Sequence, residues 1–285
     1  MRARRHTAAD YLTLATGYAN EHVNGVLSNV TDRLEFIDEY LTTGDSRPRL
    51  QQLVRTLFTP LYREIGFTSN AADNDERRAL RATLIHSLGL TGGDAEIAAN
   101  AREALTGALA GGAPLDPTLA RSIITVAARH GDAALFDSLL AASEKSTSGD
   151  EKYRYLYSLA EFRAPALLER ALAYSLTNNL RSQDTASYLA RFIGDETARP
   201  RAWAFAKEHW KELEPKVAIF GGDTTFVGSL SAFCDASTRD DITSFFAQHP
   251  LPSAARMLTQ TVERINNCIV LREAQTPVVA DFLQK

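Results

Sequence analysis

Cysteine, methionine and tryptophan are scarce in this chain, with two residues of each type among 285. Cys234 and Cys268 are too few for the disulfide framework that holds small secreted domains together. We therefore expect two small buried thiols in a reducing compartment. The apolar fraction of 45% is ordinary for a globular protein, so the chain can bury a core without crosslinks.

Long apolar runs and an excess of positive charge are also missing. No run reaches the roughly 18 residues that suggest a membrane span. The net charge is −4 and the pI is near 5.9, whereas nucleic-acid-binding domains typically exceed a pI of about 9. The basic start, MRARRHTAADYL, lacks the apolar segment of a secretory signal and indicates a charged helix lead-in, with a transit sequence as the alternative. Together these features predict a cytoplasmic protein that binds neither nucleic acid nor membrane.

The patterns that carry catalytic chemistry are absent as well. A zinc peptidase helix needs His-Glu-x-x-His, in which two histidines one turn apart bind the metal and the glutamate activates water. None of the six histidines precedes a glutamate, and no two are four residues apart. The sequence also lacks a glycine-rich phosphate loop, a Gly-x-Ser-x-Gly elbow and a Cys-x-x-Cys pair. We therefore expect no catalytic residue, metal site or cofactor in this chain alone.

Helical patterns fill almost the whole sequence. Glycine and proline breakers separate segments of about 10–20 residues, which predicts roughly 13 or 14 helices. The only candidate strand is residues 217–220. Between residues 94 and 179 the helix pairs recur roughly every 35–40 residues, a rhythm typical of HEAT or armadillo repeats. The prediction is one all-α domain over residues 1–285, a curved α-α superhelix with a concave face.

Residues 180–215 contain both tryptophans and two of these helical patterns. In the second pattern the apolar residues recur at steps of three, four and three, which predicts a single helix with one buried face; they are Trp203, Ala206, Trp210 and Leu213. Ser182 and Asp184 can each accept hydrogen bonds from the first turn of the preceding helix, so we expect one of them to cap it. Gly131-Asp132 and Asp116-Pro117 are further signals of helix ends and starts.

The same segment resembles the C-terminal helical domain of zinc aminopeptidases of the puromycin-sensitive and endoplasmic-reticulum type. The family pattern is an Arg-x-Gln-Asp turn followed by an Ala-Trp-x-Phe…Asn-Trp-x-x-Leu helix. Its turn stands here as Arg181, Gln183 and Asp184, and its helix contains Trp203 and Trp210, with histidine in place of the asparagine. Residues 57–67 and 245–256 are similar to two further segments of that domain.

This resemblance implies a non-catalytic domain, truncated at its N-terminal end, of a larger enzyme. In such enzymes zinc is held by a separate catalytic domain, and the helical domain caps the active-site cavity and helps select and position peptides. The implied partners are therefore the parent's catalytic domain and peptide substrates. The main alternative is a free-standing helical scaffold that binds a partner protein on its concave face. An independent hydrolase is a third reading, with no motif to support it.

Two residues of the last helix are candidates for substrate binding. Arg256 and Gln260 belong to a polar ridge opposite an apolar one, when the helix is drawn at 100° per residue. Either the ridge is an ordinary solvated face, or it faces the concave interior. In the second case the resemblance implies that the Arg256 guanidinium holds a peptide carboxylate.

Arg181 and Tyr155 are the other two candidates. Arg181 either pairs with Asp184 at the helix start or faces the cavity, and Gln183 is expected to bond the backbone of its own turn. The tyrosines at 153, 155 and 157 are expected in the core together with the tryptophans. By helical geometry Tyr155 points away from the other two, which makes it the tyrosine most open to a ligand.

Overall fold

The computed structural model describes residues 5–284, so part of the basic start lies outside the described residues. Within that range the chain forms 15 α-helices and three short 3-10 turns, and no strand. The all-α prediction is confirmed. The candidate strand at residues 217–220 is wrong: Val217 ends a helix and the next residues form a turn.

The chain divides into two compact units, residues 1–139 with 273–285, and residues 140–272. The first unit holds six complete helices, which are α1 (Ala8–Thr16), α2 (Asn24–Leu41), α3 (Arg47–Ile65), α4 (Asp75–Gly89), α5 (Ala95–Leu109) and α6 (Pro117–Arg129). The division falls inside two helices, α7 (Ala133–Lys145) and α15 (Ala255–Leu283).

The second unit holds the complete helices α8 (Gly149–Ser158), α9 (Pro165–Tyr174), α10 (Ser182–Gly194), α11 (Arg199–Glu208), α12 (Trp210–Val217), α13 (Gly222–Ser229) and α14 (Ala236–Gln248). Tyr188 and Phe192 of α10 are fully buried in its core. Because they are four residues apart, both lie on one face of α10, and their rings are 5.0 Å apart in an edge-to-face arrangement.

Helix starts in the first unit follow the expected capping chemistry. The Asp116 carboxylate accepts a hydrogen bond from the Thr118 backbone N–H at 2.8 Å, and Pro117 is the first residue of α6. Asp132 accepts from the Leu135 N–H at 3.0 Å and so caps the start of α7. These side chains satisfy N–H groups that a helix start otherwise leaves unpaired. Both caps predicted from the sequence are confirmed.

Cationic side chains secure several helix ends. Fully buried Arg81 of α4 donates to the backbone carbonyls of Ile65 and Gly66, at 3.1 and 3.0 Å, where α3 ends. The same guanidinium pairs with Asp73 at 2.7 Å. Hydrogen bonds from the Asn70 N–H and from Arg81 hold the pKa of Asp73 below its usual range. The unpaired carbonyls at a helix end are thus satisfied by a positive charge, which the helix dipole favours there.

The second unit repeats this arrangement twice. Arg199 donates to two carbonyls at the end of α10, those of Ile193 at 2.7 Å and Gly194 at 3.0 Å. Lys216 of α12 donates, at 3.0 to 3.1 Å, to three successive carbonyls just beyond α9, which are those of Ser175, Leu176 and Thr177. A lysine can satisfy all three because its ammonium carries three donors.

The two tryptophans lie on different helices. Trp203 is in α11 and Trp210 begins α12, because the chain leaves helical geometry at His209 (φ −108°, ψ 19°). The single predicted helix is therefore wrong, although both rings are buried as expected, each 4% exposed. The apolar spacing persists across the break because both rings contact Phe245, with centroids 5.1 and 5.2 Å away.

Cys234 and Cys268 form a disulfide, with Cα atoms 5.2 Å apart. The prediction of two free thiols is wrong. The cysteines are 34 residues apart in sequence, so no local pattern could indicate that the fold brings them together. Closing a loop of that length removes conformational freedom from the unfolded chain, a stabilisation of about 3–4 kcal/mol.

Candidate functional site

Arg181 and Asp184 join with a third residue at the start of α10. The Asp184 carboxylate accepts hydrogen bonds from Arg181 Nε at 2.6 Å and from the Tyr153 hydroxyl of α8. Arg181 Nε also lies 3.1 Å from the Tyr153 oxygen. Burial and the hydrogen bond to Asp184 raise the pKa of Tyr153 to about 12, so the phenol stays neutral at physiological pH. The network ties α8 to the first turn of α10.

This network replaces the cap that the sequence predicts for α10. Arg181 occupies the position before the helix, and no side chain caps the first turn. Asp184 is engaged by Arg181 and Tyr153, and Ser182 makes no side-chain hydrogen bond among residues 5–284. Gln183 is exposed and makes none within that range either. The capping predictions for Ser182 and Asp184 and the backbone bond predicted for Gln183 are therefore wrong.

A row of rings and guanidinium groups continues from this network. The Tyr153 and Tyr157 rings have centroids 5.4 Å apart. Arg181 Cζ is 5.6 Å from the Tyr153 centroid, and Arg191 Cζ is 4.9 Å from the Tyr157 centroid. Both rings are half-buried, so their assignment to the core is wrong. The sequence did not predict the role of Arg191 or the contacts of Tyr153. The four-residue spacing of Tyr153 and Tyr157 was the available signal, because it places both rings on one face of α8.

Tyr155 lies on another face of α8. Its hydroxyl donates to Glu151 at 3.4 Å, and its ring is half-buried, as are those of Tyr153 and Tyr157. Burial and the nearby Glu151 carboxylate raise its pKa. The expectation that Tyr155 is set apart by exposure is therefore wrong, and its substrate role stays a prediction.

The polar ridge of α15 is accessible along its first half. Arg256, Glu263 and Asn267 are exposed and Gln260 is half-buried, whereas Ile265 on the opposite side is fully buried. Within residues 5–284, Arg256 makes no hydrogen bond or ion pair. No hydrogen bond or ion pair in that range joins Arg256 or Gln260 to Arg181 or Tyr155. The substrate-binding roles of these four residues stay predictions.

The buried tryptophans hold α14 through a polar contact as well as through their rings. Trp203 Nε1 donates to Asp241 Oδ2 of α14 at 2.6 Å, and Lys207 Nζ donates to the same oxygen at 2.7 Å. Burial opposes the charge on Asp241, yet these two donors hold its pKa below the usual range. Asp241 was not singled out from the sequence, because its partners are 34 and 38 residues away.

Among residues 5–284 no three His, Cys, Asp or Glu side chains gather as a metal site would require. No helix in the same stretch combines the length and apolarity needed to cross a bilayer. The polar groups described above join helices to one another within an all-α fold.

The chain belongs to the ERAP1-like C-terminal domain family, whose model matches residues 1–267. It is 29% identical to Aminopeptidase M1-B of Oryza sativa subsp. japonica over 280 residues, which is 92% of this chain and 31% of that protein. Aminopeptidase M1 of Arabidopsis thaliana is 25% identical over 93% of this chain and 31% of its own length. Aminopeptidase 2, mitochondrial, of Saccharomyces cerevisiae is 23% identical over 98% and 30%.

The chain thus spans less than a third of the length of these relatives. The resemblance to an aminopeptidase C-terminal domain is confirmed.

Proposed function

We propose that this chain is the non-catalytic part of a zinc aminopeptidase, that it caps the active-site cavity, and that it helps to select and position peptides. The observation that carries the proposal is the family match over residues 1–267, together with relatives named as aminopeptidases that are about three times longer. In this proposal the catalytic part of the parent protein holds the zinc and performs the hydrolysis. The helical part supplies positioning and sequestration.

We also propose how the helices are arranged. One domain over residues 1–285, built from HEAT- or armadillo-like pairs in a curved superhelix, would offer a hollow face to the catalytic part. Arg256 and Gln260 would line that face, with Arg181 and Tyr155 as further contacts. The exposed guanidinium of Arg256, which has no partner among the described residues, supports its place in this set because a peptide carboxylate would complete its hydrogen bonds.

The cytoplasmic location that the sequence predicts is kept apart from this proposal. A cytoplasmic protein stays a prediction, and the Cys234–Cys268 disulfide weighs against it because structural disulfides persist in oxidising compartments.

The experiment mixes this chain with a separately produced zinc-bearing catalytic part of the parent protein. We expect the two to associate at micromolar concentrations and the chain to change the preference of the catalytic part for peptide length. No association, or association with an unchanged length preference, would contradict the proposal and favour a free-standing scaffold.

A matched pair of variants tests the substrate contact. Arg256→Gln removes the proposed contact, and Arg264→Gln removes the same charge from an exposed position about 80° away around α15. Both variants are mixed with the catalytic part, and peptide hydrolysis by the mixture is measured. We expect Arg256→Gln to raise the KM of the mixture for peptides about tenfold, with little change in kcat, since charge-assisted hydrogen bonds contribute about 1.5–3 kcal/mol. Equal effects of the two variants would remove Arg256 from the site.

A further inference from the structure

Helix α14 buries few side chains for its length. Of its thirteen residues only Ile242 and Phe246 are buried. Helices in proteins draw most of their stability from packing of an amphipathic face, and in α14 that face buries few side chains completely. Polar contacts, ring contacts and the disulfide therefore add to this packing, at the capped end of α14 and from its middle onward.

The first end is fastened to α15. Cys234 lies directly before Asp235, which caps α14 by accepting from the Thr238 N–H at 2.8 Å, and its disulfide partner Cys268 lies within α15. One turn into α14, Arg239 Nη1 donates to Asn266 of α15 at 2.7 Å. The disulfide is the covalent link among these contacts, and it joins the capped end of α14 to α15.

The rest of α14 is held by the two tryptophans. Asp241 accepts from Trp203, and Phe245 packs edge-to-face on both Trp203 and Trp210. These two are the only tryptophans in the chain. Any movement of α14 away from its seat therefore changes the surroundings of both indole rings.

We infer that the Cys234–Cys268 disulfide is a redox-sensitive fastening that keeps α14 docked while it is oxidised and releases the helix when it is reduced. Cys268 is the more accessible partner, since it is half-buried whereas Cys234 is 9% exposed. A thiolate of a dithiol reductant attacks the Cys268 sulfur, forms a mixed disulfide and expels the Cys234 thiolate, which takes up a proton. The second thiol of the reductant then displaces Cys268. Two electrons and two protons pass to the protein, and the reductant leaves as a disulfide.

The disulfide also indicates the compartment in which the protein works. A disulfide that closes a loop between two helices persists where the surroundings are oxidising, and glutathione and thioredoxin systems keep cytosolic thiols reduced. The oxidised, docked form of α14 therefore belongs to a compartment outside the reducing cytosol.

The test compares the oxidised chain with the same chain treated with dithiothreitol. We expect the backbone amides of α14 to lose most of their protection from solvent exchange after reduction, while those of α10 keep their rates. The tryptophan emission should shift to longer wavelength as Phe245 leaves the two rings. The double variant Cys234→Ser, Cys268→Ser should match the reduced chain and should not respond to the reductant.

A second variant separates release of α14 from other effects of the reductant. Asp241→Asn weakens the tryptophan contact without touching the cysteines, and we expect it to enlarge the response to reduction. Unchanged exchange in α14, or equal acceleration in α10, would overturn the inference. Alkylation of both cysteines in acid-quenched cells of the native host would overturn the oxidised working state, and their protection would support it.

Discussion

Single carboxylates join pairs of helices in the second unit. Asp184 receives a donor from α8 and another from the residue before α10, and Asp241 of α14 receives two donors from α11. In both cases the acceptor is charged, which makes these hydrogen bonds stronger than neutral ones, and at least one donor comes from another helix. Such contacts specify how helices meet, since a misplaced helix would leave the carboxylate unpaired.

Tyr153 and Tyr157 provide a matched comparison for one of these contacts. They are one turn apart on α8 and both rings are half-buried, yet only Tyr153 has a hydroxyl partner among residues 5–284. We expect Tyr153→Phe to lower the free energy of unfolding by about 1.5–3 kcal/mol, the usual range for a hydrogen bond to a charged group. Tyr157→Phe should change it by less than about 0.5 kcal/mol. Urea unfolding followed by circular dichroism measures both, and equal losses would show that the Asp184 network does not stabilise the fold.

The sequence identified part of this network and missed the rest for a physical reason. Arg181 and Asp184 are three residues apart, so their pairing is a local possibility visible in the sequence. Tyr153 is 31 residues from Asp184, and only the packing of α8 on α10 brings them together. For the same reason Arg191 was overlooked, because its partner is a ring on another helix. The roles of Arg256 and Gln260 depend on a ligand and remain predictions.

Cations at helix ends are the recurring feature at the scale of elements. Arg81, Arg199 and Lys216 each donate to carbonyls where an earlier helix ends. Each donor comes from a later helix, so the contact also fixes the spacing between two elements. The interaction combines hydrogen bonds with the favourable field of the helix C-terminus.

Lys216 allows this role to be measured on α12. Replacing it by methionine keeps the length of the side chain but removes the ammonium, leaving three carbonyls beyond α9 without that donor. We expect Lys216→Met to lower the free energy of unfolding by about 1–2 kcal/mol. Lys211→Met on the same helix removes an exposed charge that has no partner in the described range, and it should be nearly neutral. Hydrogen exchange at the end of α9 should accelerate only in the first variant.

Helix prediction worked where the signals were local. The caps at Asp116 and Asp132 act within three residues, and the sequence identified both. The helix break at His209 contains no proline or glycine, and the apolar spacing continues through it. A helical wheel drawn from the sequence therefore cannot detect the break. It is one reason that the described chain has 15 α-helices where about 13 or 14 were expected.

Ionisation links the stability of the whole molecule to pH on both sides of neutrality. Several aspartates in both units have a pKa held below the usual range by hydrogen bonds, among them Asp73, Asp116, Asp132 and Asp241. A carboxylate whose pKa is lower in the folded chain contributes stability above its unfolded pKa, about 3.9 for aspartate. That contribution is lost as the pH falls through the folded value. Acid should therefore weaken both units.

Tyrosines set the opposite limit. Burial raises the pKa of Tyr11, Tyr153 and Tyr174 to about 12, with the first in one unit and the others in the second. An unfolded tyrosine has a pKa of about 10. The neutral phenols therefore contribute their full stability below about pH 10, and they lose it as the pH rises toward 12.

The urea midpoint should accordingly be flat from about pH 5 to 9 and should fall on both sides. The ultraviolet absorbance of phenolate checks the alkaline limb independently. In the folded chain these tyrosines should ionise only as the protein unfolds, and Tyr153→Phe should remove one of the late-titrating groups. If all tyrosines of the folded chain titrated together near pH 10, the buried phenols would not be the cause of the alkaline loss.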